Sequence, residues 1–245
     1  MRGLGTLINI FTVLIGGSLG LALGESLSDR LQGAVMRGLG LITLVIGTRM
    51  ALETLNVFIP MASVVLGGLV GTGLEIEKSL NDLGDELKAK TSSLFFSDWG
   101  SGDFTKGFVT ASLVFCVGPM TVLGAIEDGL TGNFKLLAIK AGLDGFAAMA
   151  FASAMGVGVL FSVLTLILYQ GGLTFLAALV GKSILGESLA SSPAINELSA
   201  TGGILIIAIG ITLLEIREMK VGNYLPAIFF APAFVALLGL FGISL

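Results

Sequence analysis

The sequence predicts an all-α polytopic membrane protein of about eight transmembrane helices, with an inverted three-helix repeat and one or more broken helices. Three observations predict it. Hydrophobic residues make up 54% of the 245 residues and charged residues only 12%, where a typical soluble domain carries about 25% charged residues. Several apolar runs reach the roughly 20 residues that cross a hydrocarbon core. Finally, two distant stretches echo each other. Gly24-Glu25-Ser26-Leu27 leads into Gly40-Leu-Ile-Thr-Leu-Val-Ile-Gly47, as Gly186-Glu187-Ser188-Leu189 leads into Gly203-Ile-Leu-Ile-Ile-Ala-Ile-Gly210.

Read in order, the apolar runs give spans over residues 4–23, 34–53, 57–74, 107–125, 135–155, 157–181, 201–216 and 223–243. The 36 glycines suit membrane helices that approach closely. The first run is long enough to span, so a cleavable leader is not expected. Residues 1–75 form a first repeat, 76–106 a polar linker, 107–156 two central spans and 157–245 a second repeat. In the linker, Ile76, Leu80, Leu83 and Leu87 recur at helical spacing among charged residues, the pattern of an amphipathic helix at the membrane surface. Phe95-Phe96-Ser-Asp-Trp99 then suits an interfacial re-entry, because aromatic side chains settle at headgroup depth.

Further positions extend the echo. Gly16-Gly17 answers Gly171-Gly172, Glu53 answers Glu215, and Asn56 before Pro60 answers Asn223 before Pro226. The copies begin at spans one and six, an odd offset, so the second copy runs inverted, as in many secondary transporters. Basic residues favour one side: Arg30, Arg37, Lys78, Lys88, Lys90, Lys106, Arg217 and Lys220 against Arg2, Arg49, Lys135 and Lys182. The positive-inside rule therefore places the linker in the cytoplasm and both termini outside.

The spans outside the repeat hold the residues with chemistry. Gly118-Pro119 interrupts span four. Proline removes a backbone donor and obstructs the preceding turn, and such a break survives in a bilayer only where protein or a water-filled cavity takes up the freed groups. Asp144 sits in the middle of span five, where a carboxylate is costly unless paired or hydrated. Lys140 lies one turn earlier, either as its ion partner or as a side chain snorkelling to the surface. Asn9 and Gln170 have no apolar role and need partners. Ser153, Thr48 and Thr201 can bond back to their own helices, and Asn56 and Asn223 are placed to cap the helices they precede. Glu127-Asp128-Gly129 reads as an acidic turn, solvated or gathering cations at a mouth, and Arg49 as a snorkelling residue at a span end.

The expected solute site is framed by Asn9, Ser112, Gly118, Pro119, Asp144, Ser153 and Gln170, with Asp144 as the ion-coupling group. Histidine is absent and the single Cys116 lies in an apolar run, so neither a zinc site nor imidazole chemistry is expected. No phosphate loop or nucleophilic triad appears, so an enzyme is not expected, nor any cofactor apart from Na⁺ as a candidate coupling ion. The net charge of −4 argues against nucleic acid. The expected function is small-solute transport by alternating access, coupled to Na⁺ or H⁺, with the lipid bilayer, a small polar solute or ion, and a second copy in a homodimer as partners. A passive ion channel and a non-transporting scaffold or sensor are the alternatives.

Four runs resemble a known family. Phe108-Val-Thr-Ala-Ser-Leu-Val-Phe-Cys-Val-Gly-Pro119-Met, Leu143-Asp144-Gly-Phe with Ala152-Ser153, Leu168-Tyr-Gln170-Gly-Gly172 and Ala200-Thr-Gly-Gly203 resemble the YdfK/YqgA-like bacterial integral membrane proteins, a domain of unknown function. The resemblance covers nearly the whole chain, the polar linker least. It implies a bacterial inner-membrane protein and assigns no substrate or functional residue.

Overall fold

A computed structural model describes residues 2–24, 26, 28–92, 103–180 and 193–241, which form helices and turns with no strand among them. The elements are α1 (Leu4–Gly24), α2 (Asp29–Ala51), α3 (Phe58–Gly73), α4 (Ile76–Ser92), α5 (Phe104–Val117), α6 (Pro119–Thr131), α7 (Lys135–Met155) and α8 (Gly158–Leu166). A π-helical turn (Ile167–Gly171) joins α8 to α9 (Gly172–Val180); α10 (Pro193–Leu213), a 3₁₀ turn (Val221–Tyr224) and α11 (Ala227–Leu240) follow. Among the described residues six segments are long and apolar enough to cross a membrane, and counting each of the bent pairs α3–α4 and α5–α6 as one span gives up to eight. The expected aromatic re-entry at 95–99 and the Gly-Glu-Ser anchor at 186–188 lie outside the described residues, as do Glu25 and Leu27 of the first anchor.

The chain packs as two compact units. The first takes Met1–Leu39, Leu80–Cys116 and Met120–Gly186, and the second takes Gly40–Ser79, Val117–Pro119 and Glu187–Leu245. In the first unit, α1 lies along α7. Gly16, Gly20 and Gly24, one turn apart, meet the backbone of Gly145, Met149 and Ser153 so closely that no Cβ would fit at any of the three. This is small-residue packing, which lets membrane helices touch backbone to backbone. Both series ascend together, so α1 and α7 are parallel. That direction restricts the topology: an odd number of crossings must separate them. With α2 as one of them, the two bent pairs count together, and the candidate spans among the described residues number six or eight.

The segment α8–α9 runs the other way along α1: Gly17 meets Leu160, Asn9 meets Gln170 and Thr6 meets Thr174. The expected break at Gly118-Pro119 is present, with α5 and α6 bent by 63°. Pro119 has no N–H for the Phe115 carbonyl, its helical partner in an unbroken helix. The Thr121 hydroxyl donates to that carbonyl instead, at 2.9 Å, and both groups are buried.

In the second unit, α2 crosses α10 and α3 crosses α11, glycine against backbone. A Cβ on Gly203 would lie 2.6 Å from the Gly47 carbonyl oxygen, and one on Gly47 would lie 2.8 Å from that of Gly203. A Cβ on Gly210 would lie 3.1 Å from the Gly40 oxygen. Gly67 meets Ala227 and Gly71 meets Asn223. Both pairs are therefore antiparallel. In the echo Gly40 answers Gly203 and Gly47 answers Gly210, so these contacts exchange with each other, the reciprocity of an isologous interface.

α10 starts at Pro193, earlier than the expected 201, with proline at the helix start where its missing N–H costs nothing. The added turns carry Glu197, fully buried, whose carboxylate accepts from the Thr54 hydroxyl at 2.7 Å and from the N–H groups of Leu55 and Asn56 at 2.7 and 2.9 Å. This ties the α2–α3 turn to α10. Asn56 caps α3 as expected, accepting from the Phe58 N–H at 3.1 Å. Asn223 instead caps α4, accepting from the Glu77 N–H at 2.8 Å, because the α3–α4 bend brings that N–H to it, and the Glu77 carboxylate accepts from the Gly222 N–H at 2.6 Å in return.

Candidate functional site

The polar residues expected in spans one, five and six converge inside the first unit. Asp144 and Lys140 are one turn apart on α7, 7% and 5% exposed, and the Lys140 ammonium donates to Asp144 Oδ2. Lys140 is therefore an ion partner and does not snorkel, since its ammonium is buried against the carboxylate beside it. The ordinary helical spacing of four residues brings the pair together.

Asn9 and Gln170, both fully buried, extend the pair into a file. Asn9 Nδ2 donates to Asp144 Oδ2 at 2.9 Å and to Gln170 Oε1 at 3.0 Å. Gln170 Nε2 donates to the Thr6 hydroxyl at 3.2 Å. Thr6 and Thr174 hydroxyls lie 3.5 Å apart, and Thr174 donates to the Gln170 carbonyl at 3.0 Å. Two acceptors fix which way the Asn9 amide points, so its Oδ1 faces away from them and has no partner among the described residues. Gln170 stands in the π turn, and π turns inside helices are frequent at functional sites.

The file ends at a cavity. Thr6 and Thr174 also line a space of about 430 Å³, walled by Leu7, Ile10, Ile167 and Phe175 and edged by Arg2. A buried ion pair is thus linked through two amides to two hydroxyls at a chamber large enough for a small molecule. Such a file can exchange its internal hydrogen-bond partners for those of a ligand. No group of three or more His, Cys, Asp or Glu side chains suited to a metal ion occurs among the described residues.

Of the expected site residues, Asn9, Asp144 and Gln170 come together. Ser112 pairs with the Thr165 hydroxyl at 2.9 Å, and Ser153 bonds back to the Ala150 carbonyl at 2.9 Å, as its helix position suggested. Gly118 and Pro119 form the break and belong to the second unit. Thr48 is exposed, and Thr201 is fully buried with no partner for its hydroxyl among the described residues, against the expected bond to its own helix. The expected acidic turn is the end of α6; the chain turns later, at Gly132 with φ 76°. Asp128 is fully buried and accepts from the Gly3 and Gly5 N–H groups at 3.1 and 3.0 Å, capping α1, because an α-helix start leaves such donors unpaired. Glu127 accepts from the Asn133 amide at 2.6 Å. Thr6 and Thr174 were not singled out from the sequence, although Thr6 stands three residues from Asn9 and Thr174 four from Gln170, each on its neighbour's helix face.

Comparison with known proteins gives a family and no activity. The family model described as "Protein of unknown function (DUF554)" matches residues 4–236. The uncharacterized membrane protein YdfK of Bacillus subtilis (strain 168) is 26% identical over 243 residues, covering 98% of each chain. The uncharacterized protein YqgA of Escherichia coli (strain K12) is 30% identical over 231 residues, covering 93% of this chain and 94% of its own. No solved structure matches the chain significantly.

Proposed function

The chain belongs to the DUF554 family of unknown function, and on that premise we propose that this multi-pass membrane protein is a small-solute transporter driven by H⁺ or Na⁺. One observation carries the reading: the hydrogen-bonded file from the cavity at Thr6 and Thr174 to the buried Lys140–Asp144 pair. Ionisable side chains at membrane depth are rare and mark ion or proton paths. In this mechanism Asp144 exchanges the Lys140 ammonium for an incoming proton or Na⁺. The Asn9 amide, bonded to both α7 and the π turn, transmits that exchange to the solute chamber.

The antiparallel packing of α1 on α8–α9, α2 on α10 and α3 on α11 supports an inverted repeat, with alternating access by rocking of the copies. The protein would lie in the bacterial inner membrane as a homodimer, its termini outside. Of the acidic pair Glu127 and Asp128 that the channel alternative would use as a rim, Asp128 is engaged by the start of α1, which favours the transport reading.

The test uses proteoliposomes of the full chain, loaded with a pH-sensitive dye in one arm and ²²Na⁺ in another. Protein-dependent, saturable flux is expected in one arm. It should vanish both in Asp144→Asn and in Lys140→Met/Asp144→Asn, whose neutral pair keeps the interior free of a lone charge. Wild-type flux in the double variant, or discrete single-channel currents, would refute the coupled-transport reading.

A further inference from the structure

The cavity beside the file has a chemistry of its own. Its wall is apolar over Leu7, Ile10, Ile167, Phe175 and Ala178, and Arg2 is the one charged residue lining it among the described residues. Thr6 and Thr174 supply its hydroxyls, and no acidic side chain among the described residues lines the space. Asp128, the carboxylate bonded to this end of α1, is directed to the Gly3 and Gly5 N–H groups, which leaves the helix start already compensated. The Arg2 guanidinium itself meets a backbone carbonyl, that of Leu130, at 3.4 Å. Leu7, Ile167 and Phe175 are about half or more exposed, 50%, 47% and 63%, so the space is open along its apolar wall.

An apolar chamber with a single cation at its edge selects against three ligand classes. A cation meets Arg2 and finds no carboxylate. A sugar-like solute needs many hydrogen-bonding partners and finds two hydroxyls. A dianion brings one charge too many into an apolar space, where unpaired charge is costly. What fits is a single negative head against Arg2 with an apolar body along Leu7, Ile10 and Phe175. At about 430 Å³ the space is within the usual range for small-molecule sites.

We infer that this cavity binds an amphipathic monoanion, a carboxylate or phosphodiester head on an apolar tail, with Arg2 as its counter-ion and Thr6 and Thr174 contacting the head. This rests on the transport reading only in making that monoanion the solute; binding itself is independent of flux. The pairing is chemically consistent, because an anion moved together with H⁺ or Na⁺ carries no net charge across the bilayer.

The experiment measures thermal shift and calorimetric binding on the purified full-length protein with hexanoate, hexanamide and hexylammonium. Hexanoate should stabilise, and the neutral and cationic analogues should not. Arg2→Gln should weaken hexanoate binding about tenfold or more, the worth of one charge-assisted contact. Ala178→Trp, which fills the chamber without touching charge, should abolish it. A second arm identifies the source: mass spectrometry of the purified protein for retained anionic lipid, and proteoliposome uptake of labelled hexanoate. Retained lipid that is lost in Arg2→Gln assigns the site to a lipid head; saturable uptake assigns it to a soluble acid. Equal stabilisation by hexanamide, or no effect of either variant on binding, overturns the inference. Asp144→Asn should keep hexanoate binding while losing flux. Flux without any hexanoate or lipid binding would sink this inference and leave the transport reading standing.

Discussion

Lys140 and Asp144 form an ion pair on α7 with both side chains withdrawn from solvent, and Asn9 supplies the carboxylate with a second donor at 2.9 Å. Removing one member of a buried pair leaves the other charge uncompensated, which costs about 3–5 kcal/mol, whereas replacing both with neutral groups of similar volume is often close to neutral. Lys140→Met should therefore destabilise the protein markedly, and Lys140→Met/Asp144→Asn should recover most of the loss. Unfolding midpoints in detergent for the two single variants and the double variant check this. Additive losses would mean that the two charges do not interact.

The cap on α1 gives a second expectation. Asp128 accepts two backbone N–H groups from the first turn of a helix more than a hundred residues away in sequence. Asp128→Ala should cost about 0.5–2 kcal/mol, the usual loss for a capping side chain. Amide exchange should rise at Gly3 to Thr6 and stay unchanged at the centre of α7. Exchange rising equally in both helices would show global loosening, with no local cap.

The sequence is informative where chemistry is locally improbable. Asn9, Asp144 and Gln170 each stand in an apolar run where an unpaired polar group is costly, so their need for partners was legible, and the structure supplies those partners in each other. The break at Gly118-Pro119 was legible for the same reason: proline's missing donor has a fixed consequence in any helix. Asp128 and Glu197 were not legible. Each stands where a polar loop or helix start is plausible, and each is bonded to backbone groups that carry no side-chain signature and lie 123 to 142 positions away. Helix direction was legible only in part. The echo was read as an inversion, whereas the direction of α7 along α1 follows only from the parallel register of Gly16, Gly20 and Gly24 on α7.

Thr121 at the break makes a third test. Its hydroxyl replaces the N–H that Pro119 cannot offer to the Phe115 carbonyl. Thr121→Val leaves that buried carbonyl unpaired and should cost about 1–3 kcal/mol. In a Pro119→Ala background the new alanine N–H can serve the same carbonyl, so the Thr121→Val penalty should shrink by half or more. A double-mutant cycle of unfolding midpoints measures the coupling. An unchanged penalty would place the role of Thr121 elsewhere.

The crossing of α2 and α10 gives the last. Gly47 and Gly203 lie backbone to backbone, where a Cβ on either would reach the other's carbonyl oxygen at 2.8 or 2.6 Å. Each added Cβ also meets backbone that cannot swing aside, the Gly203 oxygen and Ile207 nitrogen on one side and the Gly47 oxygen and Ala51 nitrogen on the other, so Gly203→Ala and Gly47→Ala should each cost about 1–3 kcal/mol by overpacking. Gly142 on α7 has nothing within 4 Å of where its Cβ would be. There the same change should be neutral or stabilising by up to about 1 kcal/mol, the helix-propensity difference alone. Once one alanine has forced the helices apart, the second meets less resistance, so Gly47→Ala/Gly203→Ala should lose less than the sum. Unfolding midpoints of the four variants decide it: strict additivity at Gly47 and Gly203 would show that the two glycines do not share one contact.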